Sequence, residues 1–232
     1  MKSAFVMQPS YLPWIGIFKA IDLCDDFIFY DDVQFEKQSW QQRNKILNIN
    51  DAGAPFIYLR VPVESHSLST SVLDIKIRDP HFYQAHLEAI ATMYRRAPYT
   101  KEMLGVLEAV YEKRFEKLFE LNIALIKALA AYIGVETNFL QSEQLGVLGG
   151  RTERLVNICQ YVGADTYLAA VGARKYLDTE LFKQKGITVE VLEFAHPVYS
   201  QLKKGFLSHL SVVDALCHLG PQATHDMIRR LP

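Results

Sequence analysis

The chain is predicted to be an α/β protein, with a mostly parallel open sheet, flanking helices and a helical insertion. Three observations carry that expectation. A strand, a helix and a second strand follow one another within about thirty residues of the start, the size of a parallel crossover unit. Strand and helix patterns alternate again after residue 135. Between these regions, residues 81–133 carry apolar groups at helical spacing with no strand signal. The α/β core is therefore expected in residues 1–80 and 135–232, with residues 81–134 forming a helical insertion or subdomain.

Residues 2–8 read as a short buried strand. Trp14, Ile17, Phe18 and Ile21 recur at helical spacing, so residues 14–23 form a helix. Phe27-Ile28-Phe29-Tyr30 makes a second strand over 27–31 that ends in Asp31-Asp32. Residues 35–49 are polar and mixed, and Asp51-Ala52-Gly53 reads as a turn. Phe56 to Val63 is a strand, with Pro62 near its end or on an edge because proline has no N–H for a ladder. Leu73-Asp74-Ile75-Lys76-Ile77 alternates at period two, as a half-exposed strand does.

Helices are expected over 81–94 and over 100–133, the latter as one long helix or two abutting ones ended by Gly134. There follow a strand at 137–141, a helix at 151–162 stopped by Gly163, a strand at 166–169 and a turn at Gly172-Ala173. A helix over 173–184 and a strand over 188–194 come next. Ser211-Val212-Val213-Asp214 then has the form of a capped start for the final helix.

The 232 residues allow one large domain or two small ones, and half of them are hydrophobic, enough for a substantial core. A net charge of −1 gives no general attraction to nucleic acid or to anionic membranes. No run of about 18 apolar residues and no signal-peptide apolar region occurs, so no membrane span and a cytoplasmic location are expected. Cys24, Cys159 and Cys217 are far apart and odd in number, which suits buried, reduced thiols. The histidines form no HExxH-type pattern, and His81 and His86, five apart, do not share a helical face. No metal site is expected, and no motif indicates a cofactor.

Candidate site residues gather at strand ends. The loop after the first strand, Gln8-Pro9-Ser10-Tyr11-Leu12-Pro13-Trp14, lies where ligands bind in open α/β folds. The helix start near Trp14 would present free N–H groups to a phosphate or carboxylate, or else the loop packs as a rigid corner. Asp31 and Asp32 end the second strand. Neighbours on a regular strand point opposite ways, so one of the two would face a ligand as general base or hold an amine or Mg²⁺. Gln34, Lys37, Trp40, Arg43 and Asn44 follow, with arginine suited to anions and tryptophan to stacking on a sugar or base. Gly149-Gly150 before Thr152-Glu153-Arg154 reads as an anion-binding helix start or a simple cap. Arg174 and Tyr176 follow a strand and join the same sheet edge if that strand is parallel. His196, with Tyr199 and Gln201 nearby, is a further candidate for proton transfer. No Ser or Cys occupies a recognisable nucleophile elbow.

Several patterns, in order along nearly the whole chain, resemble the WbqC-like family. They are Met7-Gln8-Pro9-Ser10-Tyr11-Leu12-Pro13-Trp14-Ile15-Gly16, Asp31-Asp32-Val33-Gln34-Phe35, Trp40, Arg43-Asn44-Lys45-Ile46 and Ala97-Pro98-Tyr99. Thr152-Glu153-Arg154-Leu155, Gly163-Ala164-Asp165-Thr166-Tyr167-Leu168, Gly172 to Asp178, Tyr199 with Gln201, and Leu210 to Asp214 complete the set. Ala169-Ala170 and His218 depart from it, where relatives often carry Ser-Gly and Asn. The resemblance implies a place among surface-polysaccharide (O-antigen) genes and transfer of a glycyl or related aminoacyl group onto a sugar.

The opening strand, Pro-containing loop and helix are also similar to those of HxGH nucleotidylyltransferases, which extends the fold expectation to a nucleotidyltransferase-like or HUP-like sheet. Aligned on Pro9, however, Tyr11 and Trp14 stand at the two histidine positions and Pro13 at the glycine. Neither side chain can act as a cation on phosphate, and Pro13 has no N–H to donate. Two functions remain open from the sequence. One is a transferase acting on a small-molecule or nucleotide-sugar ligand. The other is a non-catalytic nucleotide- or sugar-binding protein of the same pathway. The 81–134 helices either cover the site or form a surface for self-association as a homo-oligomer.

Overall fold

The computed structural model describes residues 1–50 and 53–230. In chain order the elements are β1 (Ser3–Met7), α1 (Ile15–Leu23), β2 (Asp26–Phe29), β3 (Arg43–Leu47), β4 (Phe56–Arg60), α2 (Phe82–Met93), α3 (Thr100–Tyr111) and α4 (Leu118–Ile133). Then come β5 (Asn138–Gln141), α5 (Ser142–Leu145), α6 (Arg151–Val162), β6 (Thr166–Ala170), α7 (Thr179–Gln184), β7 (Thr188–Leu192) and α8 (Val212–Arg230).

A five-stranded sheet runs in the order β5-β2-β1-β6-β7, and every neighbouring pair is parallel. The chain steps outward from β1 through β2 to β5, then returns to the far side of β1 for β6 and β7. The order therefore reverses between β1 and β6. The crevice beyond the carboxyl ends of those strands is where open α/β sheets take their ligands.

Period-two alternation divides the sheet residues between two apolar clusters. Phe5, Phe27 and Phe29 pack with buried residues of α1, α4 and α8. Ala4, Ile28, Tyr167 and Ala169 face the other way, onto Val156 and Cys159 of α6 and Phe182 of α7. Cys24, Cys159 and Cys217 are all buried free thiols. Among the described residues no helix is long and apolar enough to cross a membrane.

The mixed stretch 35–49 contains β3, which pairs antiparallel with β4 as a separate two-stranded sheet. Its alternation, Asn44 and Ile46 buried with Arg43 and Lys45 more exposed, is hidden by its composition. Leu73–Ile77 is not a regular strand. A 3-10 turn spans Val72–Asp74, and isolated bridges, Val63 to Ile77 and Lys76 to Lys117, tie the segment down. Burial of Val72 and Ile75 accounts for the alternation without a ladder.

Residues 100–133 form two helices, and Gly134 closes the second in the left-handed region (φ 84°) while donating to the Ala130 carbonyl. Helix α7 starts at Thr179, because Asp178 caps it by accepting from the Leu181 N–H and the preceding residues make a 3-10 turn over Val171–Lys175. The Asp51-Ala52 part of the expected turn lies outside the described residues.

Candidate functional site

The loop after β1 is a rigid corner. Tyr11 is fully buried, and its hydroxyl lies 2.7 Å from His86 Nδ1 and 2.5 Å from the Tyr111 hydroxyl. The Tyr11 side chain therefore points into the protein. Leu12 sits in the left-handed region (φ 42°), a conformation that costs about 1–2 kcal/mol for a residue with a Cβ. Asn44 Nδ2 holds it there by donating to the carbonyls of Tyr11 and Leu12 at 3.1 and 2.8 Å. Asn122 Nδ2 from α4 donates to the carbonyls of Pro9 and Gln41. Gln8 Oε1 accepts from Gln41 Nε2 at 2.5 Å.

Trp14 is the aromatic of this loop that faces the crevice, beside Ser10 and Pro13. The imidazole of His209 stacks on it at 5.2 Å and that of His196 at 6.0 Å, while Phe194 meets it edge-on at 4.6 Å. Gly16 leaves room for the indole, since a Cβ there would lie 2.5 Å from two of its ring atoms. A cavity of about 270 Å³ opens against Trp14, with Met7, Ser10, Trp40, Asn44 and His209 among its walls. Trp40 is half exposed, and the Lys45 ammonium lies 5.5 Å from its ring and 4.4 Å from that of Phe56. Arg43 stacks 4.5 Å over Tyr58 on the same hairpin. Trp40 thus links the cavity to the Lys45 and Arg43 cations of the hairpin, which lie outside its lining.

His196 has a defined proton position. Its Nδ1 lies 2.9 Å from the Pro197 carbonyl oxygen, which can only accept, so Nδ1 carries the hydrogen and Nε2 keeps a lone pair. Burial lowers its pKa below the usual histidine value, and His209 pushes the same way against the Pro197 bond and Asp214. The ring is therefore neutral at neutral pH.

The segment carrying His196 and His209 is tied to the first turn of α8. Asp214 there is fully buried, and its Oδ2 accepts from the Tyr199 hydroxyl at 2.7 Å and from Gln201 Nε2 at 2.8 Å. His218 Nδ1 donates to the Asp214 carbonyl, and its Nε2 accepts from the Leu202 N–H. A bridge between Trp14 and Ser211 brings the segment over the loop after β1. The polar ends of Tyr199 and Gln201 thus fix the segment.

Asp31 and Asp32 form a second cluster. Because β2 stops at Phe29, strand alternation no longer applies to them, and both carboxylates turn to Ser142 Oγ, 3.1 Å from Asp31 and 2.5 Å from Asp32. Asp31 is fully buried and also accepts from the Glu143 N–H and Gln141 Nε2. Asp32 pairs with Arg154, whose guanidinium lies 5.0 Å over the Tyr30 ring and whose Nε donates to the Val147 carbonyl. Burial raises the Asp32 pKa, but the Arg154 and Ser142 bonds outweigh it and hold the carboxyl below the usual range.

The remaining sequence candidates are dispersed. Gln34 is exposed and donates to the Leu68 carbonyl, and Lys37 is exposed. Arg174 and Tyr176 are exposed on and just beyond the 3-10 turn that follows β6. Trp14, Trp40 and Asn44 line one cavity, and His196 joins them through its stack on Trp14. His209 and Phe194 join them although nothing in the sequence marked them as site residues, and Ser142 was equally unmarked as the partner of Asp31 and Asp32. Among the described residues no group of three or more His, Cys, Asp or Glu is placed to hold a metal ion.

Comparison with known proteins matches the sequence model of the WbqC-like protein family to residues 8–226. An uncharacterized protein of Mycobacterium tuberculosis (strain ATCC 25618 / H37Rv), Rv1507c, is 32% identical over 225 residues, covering 96% of each chain.

Proposed function

The chain belongs to the WbqC-like protein family, and we propose that it is a group transferase of surface-polysaccharide (O-antigen) biosynthesis that moves a glycyl or related aminoacyl group from an activated donor onto a sugar. The biosynthetic setting comes from the family resemblance. The observation that supports chemistry is His196, a neutral imidazole with its Nε2 lone pair uncommitted among the described residues, set against Trp14 at the switch point of the sheet. In the proposed step the acceptor amine or hydroxyl gives its proton to Nε2 while its nitrogen or oxygen bonds to the acyl carbon. The bond from that carbon to the donor's leaving group breaks, and the imidazolium returns the proton to the departing group. Trp14 and Trp40 stack on the sugar, and Arg43 and Lys45 face its anionic portion.

A second reading, a non-catalytic binding protein, is favoured by the engagement of Asp31 and Asp32 with Ser142, Gln141, Glu143 and Arg154. A thermal-shift panel of sugar nucleotides, ATP, glycine and acyl-CoA separates the two when combined with a product assay. A ligand at 100 times its Kd stabilises the fold by about 2.7 kcal/mol. The transferase reading expects product from the wild type and none from H196Q, with the sugar nucleotide still bound. Binding without product in the wild type supports the second reading, and equal product from H196Q removes His196 from the chemistry.

A further inference from the structure

A larger groove of about 610 Å³ lies on the other side of Trp14, between α1 and the β6–β7 half of the sheet. Its origin is topological. The β6-to-β7 crossover helix, α7, packs on the face shared with α6, so the groove on the opposite face is bordered by α1. Phe5, Met7, Ala170 and Leu192 supply apolar walls from the sheet side, and Gly16 and Ala20 leave room along α1. Ligand cavities in α/β proteins are of this size and mostly apolar, with a few placed polar groups that fix orientation.

Here that polar group is Lys19. It projects from the middle of α1, lines the groove and is only 7% exposed. Among the described residues it makes no ion pair and no hydrogen bond. Glu193, the one carboxylate lining the groove, is exposed and lies outside ion-pair distance. Lys19 Nζ is not among the fully buried unpartnered polar atoms, so the ammonium opens onto the groove, where apolar walls leave it short of a counter-charge.

We propose that this groove binds an amphipathic monocarboxylate, with its carboxylate on the Lys19 ammonium and its apolar body along the trough toward Trp14. A single ammonium matches one negative charge. A phosphate monoester carries about −1.5 to −2 and presents more acceptor oxygens than one lysine serves. The proposal rests on the groove and stands whether or not His196 transfers a proton.

Decanoate, decyl phosphate and decanol serve as probes, read by isothermal titration calorimetry and by Trp fluorescence of the intact protein. Decanoate is expected to bind at least tenfold more tightly than either of the others. Lys19→Met, which keeps most of the aliphatic stem, is expected to lose at least tenfold in decanoate affinity, and Lys19→Arg to retain it. The ligand-free K19M protein is expected to melt at a higher temperature than wild type. If K19M fails to fold, K19Q takes its place in the same titration. Equal decanoate binding by wild type and the neutral variant overturns the proposal. So does absence of decanoate binding to wild type, or tighter binding of decyl phosphate. Because the readout is binding, these failures leave the transfer reading to be judged by its own product assay.

Discussion

Two polar clusters stand at the carboxyl edge of the same sheet and differ in how far their hydrogen-bonding groups are already engaged. In the Asp31–Asp32 cluster every carboxylate oxygen has a partner, and Ser142, with one proton to give, sits 2.5 Å from Asp32 while the Glu143 N–H serves the same Asp31 oxygen. In the Trp14 cluster the rings of His196 and His209 stack beside an open cavity, and His196 directs its only donor to its own backbone neighbour. A high density of polar residues at a strand end is thus a poor guide to ligand contact. Counting which donors and acceptors remain uncommitted separates a brace from a site.

The largest effect is expected from breaking the brace. Asp31→Ala strands the Glu143 N–H and the Gln141 amide near buried surroundings and leaves the Ser142 hydroxyl to Asp32 alone, and is expected to destabilise the fold by about 4 kcal/mol in urea titrations. Beneath the open cluster, the corner that carries Trp14 depends on a buried neutral His86, whose pKa burial lowers to about 4 against an opposing bond from the Arg60 backbone. The unfolded chain binds a proton near pH 6.5 and the folded chain does not. Stability is therefore full above pH 6.5 and falls as pH drops from there to about 4, by roughly 3 kcal/mol in total. His86→Gln is expected to flatten that limb of the stability curve.

Asp32 acts lower on the pH scale and more weakly. Its depressed pKa contributes stability that is present above the unfolded carboxyl pKa of about 3.9 and is lost as pH falls through the folded value. Asp32→Asn is expected to remove that portion of the acid limb while leaving the His86 portion, as seen by circular dichroism melts between pH 2 and 7.

The parallel core was legible because buried strands, helix periodicity and the stops at Gly134 and Gly163 are local signals. The prolines likewise announced a fixed loop after β1, but the direction of Tyr11 depends on His86 and Tyr111, far along the chain. Pairing of Phe29 with Gln141 brings Ser142 to the aspartates, and no local pattern reveals that register. His209 reaches Trp14 only because residues 193–211 fold back over the sheet edge, held by Asp214. The β3 strand was hidden because its outward Arg43 and Lys45 dominate its composition.

The most direct test compares one ligand across the two clusters. The tightest-binding sugar nucleotide from the panel is titrated calorimetrically into wild-type, W40A and D32N proteins. A loss of tenfold or more in affinity is expected for W40A, the half-exposed cavity wall, and a change below threefold for D32N. A tenfold loss in D32N with W40A unchanged would contradict this and move the site to the aspartates.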